Sequence, residues 1–305
     1  MPRYGGLALK KPTEVPLDSL VRLRRSYEER VTGAASCTRD DVLLEIGRPE
    51  YQDDSWCLAT PDDEVLAWAA MARNGATLDA DLTALPCRHG ASAARTLLRL
   101  LLDRADELAA EHGLPYGLTV GGILQGDQVT PSFLEEAGFV HGPTSRQYDV
   151  GLTAAPLPPV LPDGGVIRRA DTDDFEVLHA LHRRSLTEGP RTEDPEAFRA
   201  GLRRLSESGG VTLLLAVDGH PVGYAAARAA DGEGRVLQLA VTPASRGLGV
   251  GLALVLAVLA ELRDLGVGRA LVTLDTGDPT DHDAFGSLLS VQGSRVLIRF
   301  RRTDA

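Results

Sequence analysis

Cysteine is scarce: Cys37, Cys57 and Cys87 are the only three in 305 residues. They are too few and too scattered for a disulfide framework, and no two stand at C-x-x-C metal spacing. A reducing, cytoplasmic setting is the expectation, with Cys87 read as a small apolar side chain rather than a reactive thiol. Lysine is scarcer still, since every basic residue other than Lys10 and Lys11 is arginine. The formal charge of -11 is spread without a basic block, which removes the electrostatic footprint a DNA or RNA partner would need. Long apolar runs are missing as well. The longest, Gly247 to Ala260, is too short to span a bilayer, and "MPRYGGLALKKPTEVPLD" carries no charged-then-apolar leader pattern. A soluble intracellular protein with no membrane partner is expected.

What the chain does have is apolar content and a repeated order of elements. Hydrophobic residues make up 43% of it, enough for a sizeable core, and its length suits two domains. The stretch "GLTAAPLPPVLPDGG", residues 151 to 165, is rich in proline and small residues, has neither helical nor alternating period, and reads as a linker. After it, "GVIRRADTDDFEVLHALHRRS" reads as a strand and a helix. Asp171 or Thr172 stands near the cap, and Phe175, Leu178 and Leu181 fall at helical spacing. A second helix, "DPEAFRAGLRRLSES", follows.

Then come three short strands, turning at Asp218-Gly219 and at Asp231 to Gly234, a glycine-rich segment, a long apolar helix and a further strand, "RALVTLDT". The first half has the same succession from Ser55 to Val120, with Trp68-Ala69-Ala70 where Tyr224-Ala225-Ala226 stands and Arg88 where Arg246 stands. One duplicated unit is the economical reading.

The glycine segment, "VTPASRGLGVG" (241 to 251), offers chemistry. The first N–H groups of a helix have no intrahelical partner and carry the positive end of its dipole. Gly247, Gly249 and Gly251 clear those groups of Cβ atoms and permit positive φ, while Arg246 adds a fixed charge. The pattern R-x-x-G-x-G reads as a pyrophosphate cradle. The same residues would also serve a tight strand-to-helix turn with no ligand. A dinucleotide fingerprint fits poorly, because the motif comes late and after an antiparallel meander, and no Gly-Lys-Ser/Thr follows to make a P-loop.

In "LAVTPASRGLGVG", residues 239 to 251, the chain resembles the GNAT superfamily of acyl-CoA-dependent N-acyltransferases in its tandem-domain form. The resemblance covers Val166 to the C-terminus well. The first half resembles the family less, its loop reading Arg88-His89-Gly90-Ala91-Ser92-Ala93, although "PSFLEEAGFV" looks like the family's closing helix and Gly-Phe. The resemblance implies an α+β fold of two GNAT-like domains, each a mostly antiparallel sheet flanked by helices. The expected division is a degenerate domain over 1–152, a linker over 153–165 and an acyl-CoA domain over 166–305. It also implies acetyl-CoA or a short acyl-CoA as cofactor and a small amine-bearing metabolite as acceptor, as in mycothiol synthases and antibiotic-pathway acyltransferases, the protein being a monomer or homodimer.

Residue by residue, the resemblance puts Leu239, Ala240 and Val241 at the acyl end. Arg246, Gly247, Leu248, Gly249, Val250 and Gly251 fall at the pyrophosphate, and Thr276 and Phe285 beside the pantetheine arm. The family's strand glutamate falls on Arg235, so Glu233, two residues earlier and on the same side of an extended strand, is the candidate base. The usual tyrosine acid falls on Leu289, and on Leu134 in the first half. His282 stands where an asparagine commonly touches the arm, Tyr224 could supply a hydroxyl, and His182, Glu188 and Arg191 are acceptor-contact candidates. A thiolate leaving group needs little acid help, its conjugate acid having a pKa of about 8.5. Leu134, Leu289 and Arg235 also motivate a rival reading, a non-catalytic acyl-CoA-binding sensor or structural protein.

Overall fold

The computed structural model describes residues 3–4, 6–48, 51, 53–74, 77–112, 116–185, 195–230, 232–274 and 285–302. They fall into two compact units, the first discontinuous in sequence: Met1–Thr144 with Arg295–Ala305, and Ser145–Ser294. The boundaries thus lie within two strands rather than at 153–165, because the last strand of each unit comes from the other half of the chain.

The first unit runs β1 (Arg3–Tyr4), β2 (Leu7–Lys10), α1 (Leu17–Thr32), α2 (Arg39–Ile46), β3 (Ser55–Ala59), β4 (Val65–Asn74), β5 (Thr77–Ala84), α3 (Arg88–His112), β6 (Gly117–Leu124) and α4 (Thr130–Glu136). β7 (Val140–Gly151) then leads into the second unit. There follow β8 (Gly165–Arg169), α5 (Phe175–Ser185), α6 (Pro195–Glu207), β9 (Val211–Val217), β10 (His220–Ala230), β11 (Glu233–Val241), α7 (Val250–Asp264) and β12 (Arg269–Leu274). β13 (Val291–Arg302) returns to the first unit, where it pairs antiparallel with β6 from Leu297↔Leu124 to Arg302↔Leu118. β7 pairs antiparallel with β12 in the second.

In the first unit the strands lie in the order β1-β2-β3-β4-β5-β6-β13, and in the second β7-β12-β11-β10-β9-β8. Each is antiparallel except for one parallel pair, β5 with β6 and β11 with β12. A parallel pair needs a crossover, which α3 and α7 supply. The turn before β10 is a two-residue one in which Asp218 and Gly219 both have positive φ, 48° and 78°, the geometry that an Asp-Gly pair favours.

β10 is central and buried on both faces. Ala225 and Ala227 face the core under α7, while Tyr224 and Ala226 face α5 and α6 with Phe175, Leu178, Leu181 and Phe198, the period-2 alternation of a pleated strand. α7 buries Val250, Ala253, Leu254, Val255, Leu256, Val258, Leu259 and Leu262. Full burial of a Leu or Val side chain is worth roughly 1.5–3 kcal/mol, whereas glycine in place of a side-chain N-cap costs only a few tenths. Packing therefore holds this helix, and its N-terminus can do without a protein cap. α3 shows the same apolar stripe, with Ala94, Leu97, Leu98, Leu101, Ala105 and Leu108 buried. Among the described residues no helix is long and apolar enough to cross a membrane.

Candidate active site

β11 and β12 run side by side only from Glu233↔Arg269 to Val236↔Val272. Beyond that point β12 pairs on its other side with β7, through Thr273↔Gln147 and Leu274↔Arg146. β11 continues against β10 alone, through Ala226↔Gln238, Ala225↔Leu239, Tyr224↔Ala240 and Gly223↔Val241, after a bulge that leaves Leu237 without a partner in the register. The two parallel strands therefore splay. The Thr242 amide donates to Val222 O at 2.9 Å, and alternate residues of a strand point their N–H groups the same way. Ala240 and Gln238 thus face β10, and Leu239 and Val241 present N–H and C=O groups to the open edge. Of the three residues expected there, Ala240 contributes its position and not its amide.

Eight residues, 242–249, join β11 to α7. A short 3-10 turn over Pro243–Ser245 is followed by Arg246 in extended conformation. Gly247 and Gly249 then have φ of 71° and 77°, and a Cβ on either would meet nothing within 4 Å. Gly249 is the N-cap of α7, with no side chain to take its first N–H groups. Leu248 between them is 62% exposed. Gly251 departs from the expectation: it lies inside α7, and its Cβ would make ordinary contact with Val241 and Phe285 at 3.7 and 3.8 Å. Phe285, opening a helical stretch over 285–288, thereby stands beside the splay. Arg246 is exposed, and its guanidinium donates to Ser185 O at the C-terminus of α5.

In the first unit β5 and β6 pair from Thr77↔Gly117 to Asp81↔Gly121 and then splay likewise, Leu82 to Ala84 pairing only with β4. The connection to α3 is only three residues, 85–87. Arg88 is the first residue of the helix, so its expected equivalence with Arg246, four residues ahead of α7, does not hold in space. A Cβ on Gly90 would lie 2.0 Å from Leu85 O, and the Gly90 amide donates to Cys87 Sγ at 3.4 Å. The chain itself fills the place that stands open in the second unit. Cys37 and Cys57 are buried, and burial pushes the Cys57 thiol well above its usual range.

Glu233 is not brought to the splay. It stands at the closed end of β11, its Oε1 accepting from Arg269 Nη1 at 3.0 Å, while Arg269 also grips Asp149 through Nε and Nη2 at 2.6 and 2.8 Å. Six residues separate it from Leu239, roughly 20 Å of strand, so an ion-paired carboxylate at that distance is corrected as candidate base. Arg235, where the glutamate was sought, is a strand residue on the same paired stretch. Leu289 and Leu134 are buried in the apolar cores of their units and supply no acid.

Tyr224 is both core and polar: fully buried, it donates its hydroxyl to Gln238 Oε1 at 3.0 Å and lies 2.8 Å from His182 Nδ1. His182, half-buried on α5, packs its ring on Phe198 at 5.1 Å between centroids. His282, Thr276, Glu188 and Arg191 lie outside the described residues. Gln238 escaped the sequence reading, and its one signal was a lone amide inside the apolar run "VLQLAV".

Residues 175–286 match the model of the acetyltransferase (GNAT) family, a span that includes α5, the splayed strands and the glycine loop. Among curated proteins none matches this chain. Among solved structures, the chain is similar to a GCN5-related N-acetyltransferase from Sphaerobacter thermophilus, at 19% identity and TM-score 0.75, covering 98% of this chain and 97% of that one. It is also similar to a tandem GNAT protein from the clavulanic acid biosynthesis pathway, solved without AcCoA, at 16% identity and TM-score 0.62, covering 97% and 98%. A GCN5-related N-acetyltransferase from Kribbella flavida, at 16% identity and TM-score 0.52, covers 78% and 87%. At such identities the likeness is one of fold. The match to the acetyltransferase (GNAT) family thus falls on residues 175–286, the span that carries the open cradle, and the fold shared with those solved structures, one of them a tandem GNAT protein, extends over both halves of the chain.

Proposed function

We propose that the second unit transfers an acetyl or other short acyl group from its CoA thioester to the primary amine of a small metabolite, and that the first unit is a copy without a cofactor cradle. The observation that carries this is the open edge of β11 leading into a loop whose Gly247 and Gly249 leave the N-terminus of α7 clear. Those residues fit the group. The N–H groups of Gly247 through Gly251 and the Arg246 guanidinium would hold the pyrophosphate at the positive end of the helix dipole. The edge N–H groups of Leu239 and Val241 would receive the pantetheine arm and polarise the acyl carbonyl, as preorganised donors do. Phe285, next to Gly251, would cover the arm.

When bound, acetyl-CoA supplies the acyl group already activated as a thioester. The chain's own task is then to orient an uncharged amine on that carbonyl and to accept its proton. The buried Leu289 and the ion-paired Glu233 favour one rival, an acyl-CoA-binding protein without turnover. Calorimetric titration of acetyl-CoA, followed by thiol release in the presence of a panel of primary amines, separates them. Binding with amine-dependent thiol release supports the transferase, binding alone supports the rival, and no binding defeats both.

A further inference from the structure

The hydrogen bonds behind the splay make one directional chain. A tyrosine hydroxyl has one hydrogen. With Tyr224 donating it to Gln238 Oε1 at 3.0 Å, the matching arrangement for its 2.8 Å contact with His182 Nδ1 is an Nδ1–H donating to the hydroxyl oxygen. Nε2 is then the basic nitrogen of the ring, and the hydrogen bond at the other nitrogen sets the tautomer. The location matters as much as the tautomer. Gln238 neighbours Leu239, whose N–H faces the open edge, and it shares with Ala240 and Tyr224 the sheet face that α5 covers. Glu233, the other proton acceptor considered, is about six times as far along the strand.

We propose that His182 is the catalytic base that takes the proton from the acceptor amine, with Tyr224 and Gln238 as positioning residues that fix its Nδ1–H tautomer. This rests on the acyl-transfer reading above. In the step, the amine nitrogen forms a bond to the thioester carbonyl carbon, the carbon–sulfur bond breaks, the amine proton passes to His182 Nε2, and the thiolate is protonated from solvent. Among the described residues, Tyr224 on β10 contacts the ring, His179, Arg183 and Arg184 stand near it in sequence on α5, and Arg246 holds the end of the same helix at Ser185 O. Phe198 on α6 closes the apolar side.

Two measurements on the full chain test this. Nitrogen-15 NMR of the histidine rings, without any acyl-CoA, should find His182 as the Nδ1–H tautomer, and Tyr224→Phe should move it toward Nε2–H; an Nε2–H ring in the unaltered protein overturns the proposal. With acetyl-CoA and the amine panel, His182→Ala and the better-packed His182→Gln should each lower kcat by roughly 10²–10⁴-fold and leave acetyl-CoA affinity within about twofold. Turnover at the unaltered rate in either folded variant overturns the proposal, as does acetyl-CoA binding with transfer to no amine. Failure of the underlying reading looks different: the unaltered protein then binds no acetyl-CoA, whatever the tautomer.

Discussion

The two strand-to-helix connections, 85–87 and 242–249, start from the same splay of parallel strands and end at the same kind of apolar helix, yet only one makes a ligand cradle. In the first unit the helix begins three residues after the strand, Gly90 is pressed against Leu85 O, and Cys87 takes the Gly90 amide. The second unit inserts five more residues, among them two glycines of positive φ facing open space. Deeper in the splay the contrast recurs. In the β4–β5 ladder Asp81 stands opposite Ala70, as Gln238 stands opposite Ala226 in the other. Asp81 is tied by Tyr51, whose hydroxyl donates to it at 3.1 Å. Burial and that carboxylate push the Tyr51 hydroxyl far above its usual range. Asp81 thus braces the first unit through Tyr51, whereas Gln238 joins Tyr224 and His182 beside the open edge of the second. A glycine-rich turn therefore means nothing until the space beside its missing Cβ is known.

The largest effect expected from breaking the bracing is on stability. In the first unit Arg295 of β13 donates to Glu28 Oε1 at 3.0 Å, with both side chains largely buried. Removing one partner of a buried pair costs about 3–5 kcal/mol, so Arg295→Ala should lower the urea midpoint strongly. Next comes Gly249→Asp, in which a carboxylate would face the incoming pyrophosphate. Like-charge contact costs several kcal/mol, and a loss of about 100-fold or more in acetyl-CoA affinity by calorimetry is expected. A stability loss of about 1 kcal/mol should accompany it, because Gly249 has a φ of 77°, which a residue with a Cβ adopts only with strain, so affinity is read on the folded variant. Unchanged affinity would refute the cradle. Gly90→Ala is the matching change in the first unit. Its Cβ has no room, so a loss of about 1–3 kcal/mol in stability is expected, with acetyl-CoA affinity untouched.

Smaller still is the pH response. Burial raises the Glu28 carboxyl, but Arg295 and the amides of Ser36 and Cys37 outweigh it and hold the group below its usual 4.5. In the second unit two hydrogen bonds from Arg168, at 2.6 and 2.5 Å, hold Asp174 below its usual 3.8. A depressed carboxylate stabilises the fold fully above its ordinary pKa, and that contribution is lost as pH falls through the folded value. Denaturation midpoints should be flat above those values and fall below them. Arg295→Ala should flatten the acid limb more than Arg168→Ala, because Arg168 is 51% exposed and exposed pairs are screened.

Much of this was legible in the residues. The Asp218-Gly219 turn, α5, α6, the long apolar α7 and the R-x-x-G-x-G loop are local signals, and each formed where its period or turn chemistry placed it. The family resemblance in residues 239–251 was equally local. Illegible were α1 and α2, which no expectation addressed, the return of β13 to the first unit, and the proton-transfer residues. Glu233 was chosen by strand parity alone, and parity says which face a side chain takes but not what stands opposite. Its partner Arg269 is 36 residues away in sequence.

The sequence by itself determined the repeated order of elements, the glycine-bearing loop of the second half and the apolar helices, because propensity, periodicity and turn geometry act over a few residues. Only the tertiary structure decided which loop is open, which amides of β11 face the splay, and that His182, Tyr224 and Gln238, drawn from α5, β10 and β11, share one hydrogen-bonded chain. Those outcomes depend on where strands part and what fills the gap, and that is set by packing between residues far apart in the chain.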